Sequence, residues 1–227
     1  MSLLGKAALA MWWDMAPEAR SDFEDWHAHE HFPERLSIPG FHRGTRWSSA
    51  TDAQGIFVMY EMESYETLSS SHYVARLNAP TPWSTRMMPH HRNMVRSQCR
   101  VLESRGGGVA RHAATLRLSP AAGRDEELRA FLKALLSTLA MRPGLTGAHL
   151  LKHDTPPIEP TTEQKIRGAT DRFADWVMVV CGYDHAAVQA LAGADLAAKV
   201  LLQHGAAAGQ THGLYTVSYS ATPGDVL

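Results

Sequence analysis

Strand-like and helix-like spacings of apolar residues alternate along the chain, and the same series occurs twice. In the N-terminal half the pattern predicts strands at Lys6–Met15, Phe41–Ser49, Gly55–Glu63 and Asn93–Glu103, with helices from Pro17 to about His31 and from Tyr65 to about Asn78. In the C-terminal half it predicts strands at Ala110–Leu118, Leu145–His153, Phe173–Gly182 and Gly213–Ala221, with helices at Arg124–Met141 and His185–Gln203. Each half therefore follows the order βαββαβ.

Two short matches in the same order support an internal repeat. Ile38-Pro39-Gly40-Phe41 corresponds to Arg142-Pro143-Gly144-Leu145, a sequence that ends a helix and opens a strand, and Phe57–Tyr60 corresponds to Trp176–Val179. The two matched segments lie farther apart in the second half. The additional residues between them form a stretch rich in Pro, Thr and charged residues at about 154–170. We predict a first repeat at 1–105, a junction at Arg105-Gly106-Gly107-Gly108, and a second repeat at 109–227 with an inserted loop at about 154–170.

The repeat predicts how the two halves pack. A four-stranded sheet with two helices on one face leaves its other face uncovered, and in this sequence that face is largely apolar. The two uncovered faces should cover each other. We therefore predict an α+β fold in which two ferredoxin-like repeats pack sheet to sheet as one intrachain α+β barrel with an internal cavity.

Composition narrows the class of partner. The 227 residues carry a formal net charge of −1, with 44% apolar and 20% charged residues, which is typical of a globular protein. Lys and Arg are scattered, so we expect neither nucleic acid nor an anionic membrane as partner. No apolar run approaches the roughly 20 residues of a membrane span. A small-molecule ligand is the expected partner. Exposed helices and sheet edges are also compatible with a homodimer.

The chain start and the cysteines indicate a compartment. Ala8-Leu9-Ala10 resembles a signal-peptidase site, but Lys6 lies inside the short apolar stretch rather than before it, so we expect no secretion signal. Cys99 and Cys181 fall within predicted strands, which favours buried thiols over a disulfide. We therefore expect a cytoplasmic protein.

The first helices of the two repeats differ in one informative way. The helix at Arg124–Met141 carries a leucine-rich stripe. Aligning the repeats at their Pro-Gly turns sets His27 and His31 at positions of that stripe, and a register shifted by one residue sets His27, Glu30 and His31 there. Burying such groups without partners costs a few kcal/mol each, so they indicate either a satisfied network or a concave, wet site. Because Pro33 cannot continue the hydrogen-bond ladder, we expect the helix to break or kink near His31.

Three interpretations of these histidines are open. They could lie on a surface helix without a role, line a cavity that binds or protonates a ligand, or bind a metal through the H-x-x-E-H string of His27, Glu30 and His31. A third protein ligand for a metal is not evident, so we predict no metal and no organic cofactor. We favour the cavity, with His31 as acid or base and Glu30 or His27 orienting it.

Aromatic and basic residues elsewhere in the first repeat could complete the site. Aromatic walls would come from Trp12, Trp13, Tyr60 and Trp83, although aromatic residues on strands commonly serve the core. Arg46 and Arg86 could hold a carboxylate or an enolate, and exposed charge is the alternative.

Three segments of the first repeat carry a resemblance to a known family. They are Asp25-Trp26-His27-Ala28-His29-Glu30-His31-Phe32-Pro33-Glu34-Arg35-Leu36-Ser37-Ile38-Pro39-Gly40-Phe41, Tyr60-Glu61-Met62-Glu63-Ser64 and Ala79–Met88. They resemble bacterial members of the dimeric α/β-barrel superfamily, of the EthD-like and stress-responsive barrel type, whose barrel usually forms between two subunits. Over the second repeat the resemblance is architectural only. By likeness, His31 matches the histidine that commonly precedes the x-Pro element of that family at its cavity.

The resemblance implies several activities rather than one. The superfamily includes cofactor-free monooxygenases, muconolactone-type isomerases, aldoxime dehydratases and haem enzymes such as chlorite dismutase. Our leading hypothesis is a cofactor-free enzyme, of isomerase, lyase or monooxygenase-like type, acting on a small, partly aromatic or polyketide-like molecule. The alternatives are a non-catalytic small-molecule-binding or stress-response protein, and a haem protein with His185 or His204 as axial ligand.

Overall fold

A computed structural model describes residues 3–107, 109–168 and 171–226, and its centre is a closed barrel of eight antiparallel strands. The barrel order is β1-β3-β2-β8-β5-β7-β6-β4, and β4 pairs with β1 to close it. The strands are β1 (Ala7–Met15), β2 (Phe41–Ser49), β3 (Gly55–Met62), β4 (His91–Gly106), β5 (His112–Leu118), β6 (Leu145–His153), β7 (Trp176–Gly182) and β8 (Thr211–Ala221). The predicted fold class is confirmed. Gly108 of the predicted junction and positions 169–170 of the predicted loop lie outside the described residues.

Eight short helices surround the barrel. They are α1 (Arg20–Trp26), α2 (Phe32–Leu36), α3 (Ser71–Asn78), α4 (Pro82–Met87), α5 (Asp125–Leu139), α6 (Thr162–Arg167), α7 (His185–Ala190) and α8 (Ala198–Gln203), counted over the described ranges. No helix within those ranges has the length and apolar character needed to cross a bilayer.

Several predicted boundaries need correction. A helix, α4, follows the one expected to end near Asn78, because Thr81 caps it through the Ser84 amide and Pro82 occupies its first turn. The helix expected at His185–Gln203 is interrupted after α7 and resumes as α8. The inserted stretch is not a plain loop, because it contains α6, which Thr161 caps through the Gln164 amide.

Strand alternation separates two apolar layers. In β1, Leu9 and Trp13 pack against the helices, whereas Ala8, Ala10 and Trp12 point into the barrel. The barrel interior combines side chains of both halves, including Trp12, Trp47, Phe57, Leu151, Val177 and Val179. Both cysteines are free thiols buried in this interior layer, as predicted. The uncovered sheet faces therefore do cover each other, but bulky rings fill much of the space between them.

Candidate functional site

The helix carrying the predicted histidines is widened rather than broken. His27–His31 form a π-helical turn between α1 and α2, and the Phe32 amide donates to the His27 carbonyl. Pro33 has no amide hydrogen for the usual bond to the preceding turn, and the helix continues to Leu36. The predicted end near His31 is therefore corrected. Single π turns inside helices occur frequently at functional sites.

The π turn brings two imidazoles together inside an aromatic shell. The rings of His27 and His31 stack with centroids 5.4 Å apart, and the Trp26 ring lies 4.4 Å from that of His31. Phe23 and Phe32 contact His27 at centroid distances of 5.0 and 4.5 Å. Only 1% of His27 and 8% of His31 is exposed. They are therefore not on a free surface of the helix.

The pair lies on the outer side of the sheet, which corrects the expected location between the two sheets. His27 contacts the Trp13 ring at 6.2 Å, and Tyr60 reaches Phe32 at 5.3 Å, both from the helix-facing side of their strands. Helix side chains can meet only this face, because the other face lines the barrel. The candidate site is therefore a space between the helices and the sheet of the first half.

A glycine on β2 permits this close packing. A Cβ atom at Gly44 would lie 2.2 Å from the Phe32 ring and 2.8 Å from the Tyr60 ring. Contacts that short do not occur between real atoms, so any larger residue would displace one of the rings. Gly44 thereby allows the start of α2 to approach the sheet beside the histidines.

A small cavity of about 50 Å³ separates the histidines from the sheet. Five buried polar atoms of its lining have no hydrogen-bond partner among the residues that the structure describes: Trp13 Nε1, His27 Nδ1, His31 Nδ1, Tyr60 Oη and Arg167 Nε. Each such atom costs about 1–3 kcal/mol when it is left unsatisfied in an interior. Buried polar atoms in native proteins are nearly always bonded, so this concentration marks a place where a ligand or water belongs.

Burial and nearby cations set the protonation states of this cluster. Burial, followed by the charge of Arg46, holds the pKa of His27 well below its usual value, and burial followed by the charge of Arg35 does the same for His31. Burial also lowers the pKa of His91 to about 4 and raises that of Tyr60. At neutral pH the three imidazoles are thus uncharged, and the phenol keeps its proton.

These pKa shifts predict that acid destabilises the fold. The unfolded chain binds protons on His27, His31 and His91 below about pH 6.5, whereas the folded chain does not bind them until a lower pH. The free energy of unfolding should therefore fall as pH drops from 6.5 towards 4, by up to about 1.4 kcal/mol per pH unit for each histidine. Urea unfolding at pH 7, 6 and 5 measures this loss.

The test variant for that measurement is His27→Gln, and its matched control is His29→Gln. His29 is exposed on the same helix. The His27 variant should flatten the pH dependence, and the His29 variant should keep the wild-type slope. Equal slopes in all three proteins would contradict the assignment.

Two carboxylates flank the histidines, and they differ in role. Glu30 Oε1 accepts hydrogen bonds from Trp26 Nε1 at 3.1 Å and from the Thr81 hydroxyl, so it joins this helix to the start of α4. The carboxylate nearest to His31 is that of Glu34, whose Oε2 lies 3.9 Å from His31 Nδ1. Burial raises the pKa of Glu34. The predicted orienting role of Glu30 does not match this geometry, whereas Glu34 is within reach.

The inserted stretch of the second half covers the site. Glu163 of α6 forms a buried ion pair with Arg35, and the Thr162 amide donates to Asn78 Oδ1 at 3.0 Å. A second cavity of about 250 Å³ lies under this stretch. It shares Leu77, Arg96 and Arg167 with the histidine cavity, so the two spaces adjoin.

The remaining predicted residues fall into two groups. Trp13 and Tyr60 line the histidine cavity, and Arg46 lies beside His27, where its guanidinium contacts the Phe23 ring at 5.4 Å and donates to Ser218. Trp83 and Arg86 do not reach the cavity. Both turn to Asp22, with Trp83 Nε1 2.9 Å and Arg86 Nη2 3.5 Å from its carboxylate.

Sequence reasoning missed several residues of the site, namely Glu34, Arg35, Tyr73, His91, Glu163 and Arg167. His91 Nδ1 bonds the Met87 carbonyl at 3.0 Å, and its ring contacts Trp13 at 5.0 Å. The sequence places His91 in a loop, just before the strand predicted to begin at Asn93, and no periodic spacing marks it as a site residue. Charges within an inserted stretch were the only sequence hint for Glu163 and Arg167.

The described residues do not form a metal centre. No group of three or more His, Cys, Asp or Glu side chains among them could hold a metal ion. The H-x-x-E-H string fails because Glu30 points towards α4 and bonds Trp26 and Thr81. The two stacked imidazoles therefore lack the further ligands that a zinc site needs.

The fold and site together define the class: a ferredoxin-like α+β barrel with a histidine-lined cavity under the helices of its first half. Among solved structures, the chain is similar over its full length to an anthrone oxidase-like protein, at 15% identity, a TM-score of 0.67 and 98% coverage of that protein. It is also similar to provisionally assigned monooxygenases of Fusobacterium nucleatum and Lactobacillus acidophilus, each at 9% identity, with TM-scores of 0.62 and 0.60. The match to the Fusobacterium protein covers 97% of this chain and 96% of that protein. The match to the Lactobacillus protein covers 96% of this chain and 97% of that protein. No protein-family model matches the chain, and no curated protein sequence matches it either.

The histidines considered as haem ligands lie apart from the histidine cavity and from the cavity under α6. His204 stacks on Phe131 with centroids 3.9 Å apart, and His185 packs against His112 at 5.1 Å. Neither lines the histidine cavity or the cavity under α6.

Proposed function

We propose that the protein is a cofactor-independent enzyme that removes a proton from a small, partly aromatic carbonyl compound. The observation that carries the proposal is the set of five unbonded polar atoms around the histidine cavity. The set combines proton acceptors with proton donors, which is the inventory needed to take a proton and to stabilise the anion that remains.

His31 is the proposed base. An imidazole whose pKa is lowered by burial and by Arg35 stays unprotonated at neutral pH, so its nitrogen lone pair is free to accept a proton. The stacked His27 is also neutral and adds no competing charge. The imidazolium formed in the reaction is disfavoured by its surroundings, which favours rapid return of the proton to the product or to water.

Tyr60 is the proposed donor to the developing oxyanion. Burial raises the pKa of its phenol, so the hydroxyl keeps its proton and can donate a hydrogen bond. Oη has no partner among the described residues. A donor that is already fixed and unpaired loses no existing bond when the enolate oxygen arrives.

The two adjoining cavities suit a substrate with distinct ends. A cavity of about 50 Å³ accepts only the reacting edge of a molecule, and the adjoining 250 Å³ under α6 would take the rest. Small-molecule sites commonly enclose roughly 300–1,000 Å³. The aromatic shell favours a planar ring system, and the description of one structural neighbour as anthrone oxidase-like is consistent with such a substrate.

Anthrone is the first probe, and proton removal is measured directly. In deuterium oxide without oxygen, the protein should accelerate exchange of the acidic methylene hydrogens of anthrone. In air, the enolate can pass electrons to dioxygen, so that anthrone plus O₂ gives anthraquinone plus water. Oxygen uptake and the absorbance of anthraquinone measure this reaction. If anthrone and related enolisable aryl ketones bind without either exchange or turnover, the non-catalytic binding hypothesis replaces this one.

A further inference from the structure

The end of the barrel carries a third cavity, of about 410 Å³, that the proposed chemistry does not use. Trp12 forms its floor, and behind this ring Phe57 stacks at 4.9 Å from Trp12 and Trp47 at 5.0 Å from Phe57. The Trp12 indole is held by a hydrogen bond from its Nε1 to Thr115 Oγ1 at 3.3 Å. The volume falls within the usual range for small-molecule sites.

One cation in this cavity, Arg117, forms no hydrogen bond or ion pair with the described residues and contacts the protein through an aromatic ring instead. Arg117 of β5 is half-buried and lies over the Trp12 ring, with its guanidinium carbon 5.2 Å from the ring centroid. Among the described residues, nothing forms a hydrogen bond or ion pair with its side chain. A guanidinium has five donors in a planar fork that matches a carboxylate. A half-buried arginine with none of those donors bonded to the described residues can therefore bind the carboxylate of a ligand.

The other charged groups at the rim are already engaged. Asp14 accepts from Asn93 Nδ2 at 2.7 Å, Asp52 accepts from the Gly55 amide at 2.6 Å, and Asp175 accepts from the Ser119 hydroxyl. Arg172 donates to the Asn93 carbonyl at 3.2 Å. Three carboxylates at the rim repel a polyanion, so the cavity favours a ligand with a single negative charge directed at Arg117.

We propose that this cavity binds a planar aromatic monocarboxylate. We name it the mouth site and define it by Trp12, Arg117, Phe173 and Tyr215. The carboxylate pairs with Arg117, and the ring packs between the Trp12 floor and the wall of Tyr215 and Phe173. Phe173 is 55% exposed, which suits a residue at the entrance of a site. This inference does not depend on the proposed reaction at His31, and Phe173 is a wall residue shared with the cavity under α6.

Calorimetric titration of the full chain with 2-naphthoate tests the mouth site. We expect saturable binding of one equivalent, with at least a tenfold increase in Kd for Arg117→Met. Arg111→Met is the matched control, because Arg111 is an exposed arginine just before β5 that does not line the cavity, and its Kd should stay at the wild-type value. A second variant, Ala208→Trp, should also weaken binding because Ala208 lines the cavity and a larger side chain fills it.

Neutral and polyanionic probes complete the test. 2-Naphthalenemethanol keeps the ring system but lacks the charge, and it should bind at least tenfold more weakly than 2-naphthoate, as should inorganic phosphate. His31→Gln should bind 2-naphthoate as the wild type does. No binding of 2-naphthoate, equal binding by Arg117→Met, or loss of binding only in His31→Gln would each overturn the proposal, and the last outcome would move the ligand to the histidine cavity.

Discussion

Replacing His31 by Gln should lower turnover of an enolisable aryl ketone by about 10²- to 10⁴-fold, the usual contribution of a positioned acid or base. Glutamine keeps a polar side chain of similar length but cannot accept a proton at neutral pH. The expected loss lies in kcat, because the ring pocket formed with Trp26 and Tyr60 remains. Rates of anthrone exchange and oxidation measure it.

Two controls separate chemistry from folding. His29→Gln changes an exposed histidine on the same helix turn and should leave the rate unchanged. The melting temperature of His31→Gln should stay within a few degrees of wild type, since 1 kcal/mol shifts the midpoint by about 2–4 °C in a chain of this size. A large fall in melting temperature together with the rate loss would make His31 a structural residue.

Replacing Arg35 by Met should lower the free energy of unfolding by about 3–5 kcal/mol, the largest stability effect expected in this chain. Arg35 is 3% exposed and pairs with Glu163, which is also 3% exposed and belongs to the inserted stretch. Removing the guanidinium leaves the Glu163 carboxylate buried, and the cation that remains beside it among the described residues is Arg167, whose Nη1 lies 3.9 Å away. Urea unfolding measures the loss, and hydrogen exchange over α6 should rise because its anchor is gone.

Arg142→Met is the matched control for this effect. Arg142 pairs with Asp195 at 2.6 Å, but both side chains are partly exposed, so the loss should stay below about 1 kcal/mol. The double variant Arg35→Met/Glu163→Met removes both buried charges and should recover much of the lost stability. Similar losses for Arg35→Met and Arg142→Met would mean that the buried pair does not anchor the inserted stretch.

Local patterns were sufficient for most of the barrel. Strand alternation and the two Pro-Gly turns predicted all eight strands, with β2 and β6 correct at both ends. The aligned first helices also drew attention to His27 and His31, because polar groups stood where leucines stand in α5. Helix interruptions were less predictable, since the π turn before Pro33 depends on how the helix packs on the sheet.

What the sequence by itself determined was the α+β class, the pairing of two apolar sheet faces, and the imidazoles on the first helix. Only the tertiary structure decided on which side of the sheet those imidazoles lie, because alternation separates two faces without saying which one the helices cover. It also decided their neighbours. Arg35 and Glu163 are 128 positions apart and meet only when the inserted stretch folds over the first half. A contact between such distant segments depends on the closed barrel and leaves no periodic signal in the chain.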